Sequence, residues 1–363
     1  MDWDVGRFRD DLQEVLDEFL VEQADRLAPL GPDASLLHDE ARAAVSGGKR
    51  FRAAFCYWGH HAVRDLEGPE PTADEERAVL RAAAALEILH ASALAHDDYM
   101  DASDTRRGRP ATHRAFAAAH REAGWRGDPE QYGAAAAILL GDLLLSWADE
   151  LLRRCGLGWD RVGPALDLFD RCRSEVITGQ FLDVSVQARG SADVDDAMRV
   201  LRFKSAKYSI ERPLHVGAAL AGADSATLAW LTAFGLPLGE AFQLRDDLLG
   251  VFGDPAQTGK PAGDDLVEGK RTVLVALALD GLAHAGRRED AAYLDRSLGT
   301  SLDDAAVTRL RTVIDDSGAH AQVEEAIDAL AGRALDALDQ APVADGARVV
   351  LRELATAVTQ RSL

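Results

Sequence analysis

Apolar residues recur at spacings of three and four through most of the chain, the period of a helix with one buried face. Ala and Leu dominate, and runs of Val, Ile, Thr and Tyr are scarce, which favours helix over strand. The pattern predicts helices over roughly 6–28, 34–45, 50–65, 74–104, 111–122, 133–155, 161–188, 193–221, 225–253, 271–284, 303–317, 319–340 and 344–360. Gly31-Pro32, Gly68-Pro69 and Gly163-Pro164 read as turn signals, as does the stretch from Gly124 to Gly133 with its Asp128-Pro129. Gly253 to Gly269 is rich in Gly, Pro and Asp and reads as a loop of functional length. No βαβ alternation, low-complexity tract or short-period repeat is visible. These signals predict one all-α domain over residues 1–363, a helical bundle whose C-terminal part, 276–363, is acidic.

Charge narrows the function classes. The 363 residues include 40 Lys and Arg against 61 Asp and Glu, a formal net charge of −21. Nucleic-acid binding needs surplus cations, so no nucleic-acid partner is expected, and anionic membranes are equally poor partners. Cys56, Cys155 and Cys172 are far apart and odd in number, which speaks against a disulfide scaffold or a zinc site and fits a reducing cytoplasm. The N-terminus is acidic and has no apolar core of a signal peptide. Charges interrupt every apolar stretch, so no membrane span is expected.

Two acidic clusters sit on apolar helices. The first is His96-Asp97-Asp98-Tyr99-Met100-Asp101, after the apolar run from Leu86 to Ala95. Asp97 and Asp101 lie one helical turn apart, and Asp98 meets Asp101 at i+3. Crowded anions there need compensation, and hard cations such as Mg²⁺ supply it by bridging carboxylates to phosphate oxygens. The second is Phe242-Gln243-Leu244-Arg245-Asp246-Asp247, where Gln243 reaches Asp246 and Asp247 at i+3 and i+4. Its third position holds Gly250 rather than an acid.

Clustered cations in an acidic chain also need a reason. Gly47-Gly48-Lys49-Arg50-Phe51-Arg52 sets three cations beside a glycine pair, and Asp101 is followed by Thr105-Arg106-Arg107-Gly108-Arg109-Pro110. Lys204, Lys207, Arg212, Lys260, Lys270 and Arg271 follow. Arg forks and Lys point charges suit phosphate oxygens, so the constellation describes a site for two diphosphates, one of them on Mg²⁺. Taken singly, Arg106 and Arg107 could pair with the preceding aspartates, and Lys204 and Lys207 could form a solvated face. His60-His61 point about 100° apart on a helix, which favours packing over metal binding. No GxSxG elbow, Walker A loop or GxGxxG is present.

These residues resemble the trans-type polyprenyl synthases (isoprenyl diphosphate synthases), bacterial geranylgeranyl diphosphate synthases above all. The resemblance spans roughly residues 40–275 and rests on GGKRFR at 47–52, HDDYMD at 96–101, TRRGRP at 105–110, GQFLD at 179–183, FQLRDD at 242–247 and GKPAGDDLVEGKRT at 259–272. It implies an all-α bundle around a deep central cavity, a homodimer, and head-to-tail condensation of isopentenyl diphosphate with an allylic diphosphate. It implies Mg²⁺, three ions with substrate bound, held by Asp97, Asp98 and Asp101 and by Asp246 and Asp247. Arg106, Lys204 and Lys260 would contact the allylic diphosphate, with Ser205 keeping a hydroxyl where Thr is common. Lys49, Arg52, His90 and Arg107 would bind isopentenyl diphosphate. Gln180, Asp183 and Gln243 would line the reacting centre, and Lys270 would be a further diphosphate contact.

Product length follows from what lies below Asp97. Ala93 and Ser92 are four and five residues before it, roughly 6–7.5 Å down the helix, and both are small. Leu89, roughly 12 Å down, is a candidate floor. The expected product is geranylgeranyl diphosphate, with a farnesyl or longer-chain product as the alternative. Ala93 and Ser92 packing against a neighbouring helix would leave the floor to other residues. A class I terpene cyclase and a non-catalytic partner subunit of a heteromeric synthase are the rival functions.

Overall fold

The computed structural model describes residues 3–64, 66, 71–254 and 263–360, which are helical almost throughout. In chain order these are α1 (Val5–Leu27), α2 (Pro32–Val45), α3 (Phe51–Arg64), α4 (Ala73–Met100), α5 (Thr112–Glu122), α6 (Pro129–Arg153), α7 (Trp159–Arg189) and α8 (Val194–Val200). A π-helix (Leu201–Glu211) leads into α9 (Arg212–Leu220) and α10 (Ser225–Phe252). Then come α11 (Asp264–Glu268), α12 (Val273–His284), α13 (Arg288–Ser297), α14 (Asp304–Asp316), α15 (Ala319–Gln340) and α16 (Asp345–Thr359).

Many of these helices open where a short polar side chain satisfies a first-turn amide. Asp4 accepts from the Arg7 amide at 3.0 Å, Thr72 from Glu75 at 3.2 Å and Asp303 from Ala306 at 2.8 Å. Asp128-Pro129, expected in a turn, starts α6 instead. Asp128 accepts from the Glu130 amide at 3.0 Å, and Pro129 takes the first helical position, where its missing N–H costs nothing. Pro164 lies inside α7 rather than in a turn. The helix expected to reach 104 stops at Met100, because Ala102 turns the chain with a φ of 53°. The predicted 193–221 helix is divided among α8, the π-helix and α9, while α11, α13 and a two-residue hairpin (Thr105–Arg106 with Arg109–Pro110) are additions. Gly68-Pro69 lies outside the described residues.

The chain divides into two compact units. The first comprises Met1–Leu168, Pro213–Asp224 and Val343–Val350. Its centre is α4, whose Ala82 to Leu89 are all buried, because α1, α3 and α6 pack around it. Phe19, Phe55, Leu86, Ile88, Leu140 and Leu144 fill that core. α4 is also long and apolar enough to cross a membrane, but 72% of that stretch is buried inside the protein, as a core helix requires. The second unit comprises Phe169–Arg212, Ser225–Pro342 and Leu351–Leu363. There α10 packs on the π-helix and α15, and Leu244, Leu248, Val251, Leu266, Ile314 and Ile327 join one hydrophobic cluster. The Arg245 guanidinium donates to both Glu324 carboxylate oxygens at 2.6 and 2.7 Å and to the Thr359 carbonyl at 3.0 Å. That bond set ties the helix bearing the second acidic cluster to α15 and α16.

Candidate active site

In the first unit the functional side chains gather at the C-terminal end of α4. The turn after Met100 and the hairpin bring Arg106 back onto Asp98, and Arg106 donates to Asp98 Oδ1 through Nε at 2.7 Å and through Nη2. Asp98 is buried, whereas Asp97 and Asp101 are half-buried. Arg107, at a φ of 51°, lies over the Gly47–Gly48 loop and donates to the Ser46 carbonyl at 3.1 Å. Lys49 is exposed on that loop, and Arg52 opens α3.

His90 reports the field these groups make. Burial first, then the positive charges of Arg52, Arg107, Arg106 and Arg50, hold its imidazole well below its ordinary basicity, so it is neutral. Arg107 is itself pushed down by burial and, despite the opposing pull of Glu87, by Arg50, Arg52 and Arg106. The guanidinium groups of Arg50, Arg52, Arg106 and Arg107 place positive charge around this neutral imidazole, a field that suits a polyanion. Of the four, Arg50 turns inward. Its Nη1 donates to Glu87 at 3.2 Å and its Nη2 to Gln13 Oε1 and the Val45 carbonyl, both at 2.6 Å. The sequence reading counted Arg50 among the clustered cations suited to phosphate, whereas here it is engaged inside the protein, and it gave Glu87 no role. The available signal was a single acid inside the apolar run of α4.

The open face of α4 also differs from the expected one. His90, Ala93, Leu94, His96 and Asp97 are half-buried, whereas Leu89 and Ser92 are buried. The Ser92 hydroxyl donates to the Gly141 carbonyl at 2.7 Å, so Ser92 packs on α6. Of the three residues singled out for product length, only Ala93 lies on the open face with Asp97.

In the second unit, α7, the π-helix, α10 and α11 carry the remaining residues. Lys204 Nζ donates to Asp183 Oδ2 at 2.6 Å. Gly179 makes this approach possible, because a Cβ there would lie 2.6 Å from the Phe203 carbonyl carbon and 2.7 Å from the Lys204 Cα. The buried Gln180 Nε2 donates to no described group. Ser205 is half-buried beside Lys204, in a π-helical stretch of the kind that recurs at functional sites. Gln243 Nε2 donates to Asp247 Oδ1 at 2.8 Å. Asp246 is exposed and Asp247 buried. Burial, then the negative charge of Asp265, raises the Asp247 carboxyl well above the usual carboxylate range, with Gln243 opposing and Asp246 adding to the rise. Lys270 Nζ is 3.4 Å from Asp265 and 2.6 Å from Glu268. Lys260 lies outside the described residues. Lys207 and Arg212 bond Glu175 at 3.4 Å and 2.7 Å, so these two cations are engaged inside the protein.

The family model of polyprenyl synthetases matches residues 34–310, most of the chain and both acidic clusters. The chain belongs to the polyprenyl synthetase family. It is 33% identical over 303 residues to a geranylfarnesyl diphosphate synthase of Aeropyrum pernix, covering 83% of this chain and 86% of that one. It is 35% identical over 274 residues to a geranylgeranyl diphosphate synthase of Mycobacterium tuberculosis, covering 75% and 70%. Among solved structures it is similar to the geranylgeranyl pyrophosphate synthase of Corynebacterium glutamicum, crystallised with isoprenyl diphosphate and magnesium. The TM-score is 0.95 and the identity 40%, over 99% of this chain and 100% of that one. The fold is accordingly the all-α isoprenoid synthase fold, and the polyprenyl synthetase is a prenyltransferase that makes trans-prenyl diphosphates.

The donor set fits the divalent cation that the family implies. Each unit by itself offers hard carboxylate oxygens, at i, i+1 and i+4 of α4 in the first and at i, i+1 of α10 in the second, and Asp98 already holds a cationic group. Repulsion among Asp246, Asp247 and Asp265 is what a cation relieves. Among the described residues no three such groups converge as a preformed metal cage.

Proposed function

We propose that this polyprenyl synthetase condenses isopentenyl diphosphate head-to-tail with an allylic diphosphate and stops at geranylgeranyl diphosphate. The guanidinium cluster around His90 carries the reading, because a terpene cyclase needs no second diphosphate seat. Arg52, Arg107 and Lys49 hold the isopentenyl diphosphate, and neutral His90 donates a hydrogen bond there without adding charge. Asp97, Asp98 and Asp101 in the first unit, and Asp246 and Asp247 in the second, would hold Mg²⁺, three ions in the loaded enzyme. When bound it supplies Lewis-acid neutralisation of the allylic diphosphate's charge. Arg106 leaves Asp98, and Lys204 leaves Asp183, to bond the departing diphosphate, a stabilisation made where charge develops. Lys260 and Lys270 extend that clamp, while Gln180, Ser205 and Gln243 orient the reacting groups. Holding both substrates together lowers the entropic part of the barrier, and apolar surroundings keep water from the allylic cation.

Ala93, the small residue on the open face of α4, supports the twenty-carbon product by leaving room one turn below Asp97. Family relatives named for farnesyl and geranylfarnesyl products frame the alternatives. The two units act as one polyprenyl synthase domain in this proposal, since the family model runs through both. A homodimer and a cytoplasmic location complete it, the latter consistent with three buried cysteines that form no disulfide.

The test is to incubate the purified chain with Mg²⁺, labelled isopentenyl diphosphate and each allylic primer, then size the dephosphorylated products. A dominant twenty-carbon alcohol is the expected result. A fifteen- or twenty-five-carbon product would refute the length assignment. No incorporation from any primer would turn the function to a cyclase or a partner subunit.

A further inference from the structure

A third carboxylate of the second cluster would hang from position 250, one turn on from Asp246 and Asp247 along α10. That residue is Gly250, and its missing side chain makes room for something specific. A Cβ at Gly250 would fall inside the carboxyl group of Asp265, which reaches over from α11 with Oδ1 3.0 Å from that point. The chain thus delivers a carboxyl from fifteen positions on to the place a side chain at 250 would occupy.

Asp265 is held there from its own backbone. Leu266 is fully buried in the hydrophobic cluster of its unit, which fixes the adjoining residue. The Lys270 amide donates to the Asp265 carbonyl at 3.0 Å, and the Gly299 amide donates to the Leu266 carbonyl at 3.0 Å. Asp265 Oδ1 lies 3.4 Å from Lys270 Nζ, the cation it keeps close in the free protein.

We propose that Asp265 is the third carboxylate of the second metal-holding cluster, supplied by α11 in place of the side chain that Gly250 lacks. This rests on reading Asp246 and Asp247 as metal-holding residues. A purely structural Asp265 that only pairs with Lys270 would affect stability and leave cation affinity alone, and this difference decides the matter.

Isothermal titration of Mg²⁺ into the full-length protein, in the presence of inorganic pyrophosphate, reads the affinity without turnover. Asp265→Asn keeps the shape and is expected to weaken Mg²⁺ uptake by about tenfold or more. The paired variant Gly250→Asp with Asp265→Gly returns a carboxyl to α10 and is expected to recover most of that loss. Unchanged Mg²⁺ affinity in Asp265→Asn would overturn the proposal. So would a folded paired variant that stays as weak as Asp265→Asn. A wild-type protein that takes up no Mg²⁺ with pyrophosphate would overturn the metal-holding reading of Asp246 and Asp247 itself, and this inference with it.

Discussion

Replacing Glu87 with alanine tests how the isopentenyl diphosphate seat is held. The Glu87 and Arg50 side chains are each 4% exposed, and their contact at 3.2 Å is an ion pair inside the first unit. Glu87 also accepts from the Ala53 amide at 3.2 Å, in the first turn of α3. Arg50 sits at a φ of 59°, a strained conformation costing on the order of 1–3 kcal/mol that such bonds must offset. Glu87→Ala leaves a buried guanidinium without its carboxylate and an amide without its acceptor. Breaking a buried pair costs about 3–5 kcal/mol. The lower end applies, because Gln13 and the Val45 carbonyl still accept from Arg50. At about 2–4 °C per kcal/mol for a unit of this size, the melting temperature should fall by about 6–12 °C. Lys49 and Arg52 flank Arg50, so KM for isopentenyl diphosphate should rise about tenfold, roughly 1.4 kcal/mol, with KM for the allylic primer unchanged. Glu87→Gln, which keeps an acceptor, should fall between. Thermal melts by circular dichroism and steady-state kinetics with each substrate varied measure both effects. If the melting temperature and both KM values hold in Glu87→Ala, the pair does not anchor the loop and the reasoning fails.

Other outcomes follow from the same geometry. Ala93→Phe should shorten the product, read by chromatography of the dephosphorylated alcohols, and an unchanged twenty-carbon product would sink the assignment of Ala93. Gly179→Ala should destabilise the fold by about 1–3 kcal/mol through overpacking against the π-helix, and should lower kcat by displacing Lys204; full activity in a folded variant would contradict it. Burial lowers His60 to about 3, with His61 and Arg161 adding to the fall and Glu75 and Glu76 opposing it. The unfolded chain therefore takes up a proton near pH 6.5 that the folded one refuses, and stability falls as pH drops from there towards 3. At pH 5 the loss from this group is about 2 kcal/mol. Urea melts at pH 7 and pH 5 should show a shallower pH dependence in His60→Asn by that amount, and an equal dependence would refute it.

Apolar spacing was enough to define most of the helices, because a buried face repeats with the period of the helix itself, but it missed α11 and α13 and did not divide the 193–221 stretch. The motifs also named their side chains: Asp98 and Arg106, Lys204 and Asp183, and Gln243 and Asp247 prove to be bonded pairs. The Gln243–Asp247 pair was legible as a contact one helical turn apart, whereas Lys204–Asp183 joins two separate helices and Arg106–Asp98 depends on a turn, so spacing alone could not announce those two. Nor could it announce the direction of a helix face. One residue of rotation separates Ser92, bonded to α6, from Ala93 on the open side. Asp128-Pro129 could be a turn or a helix start until Asp128 was seen to cap α6. What the sequence by itself determined was the all-α class, the family and the chemistry of the charged groups, each written in local spacing and residue type. Only the tertiary structure decided which cation meets which carboxylate, that Arg50 turns inward to Glu87, and that Asp265 fills the space beside Gly250. Those depend on where distant segments pack, and packing is set by the whole core rather than by any window of the chain.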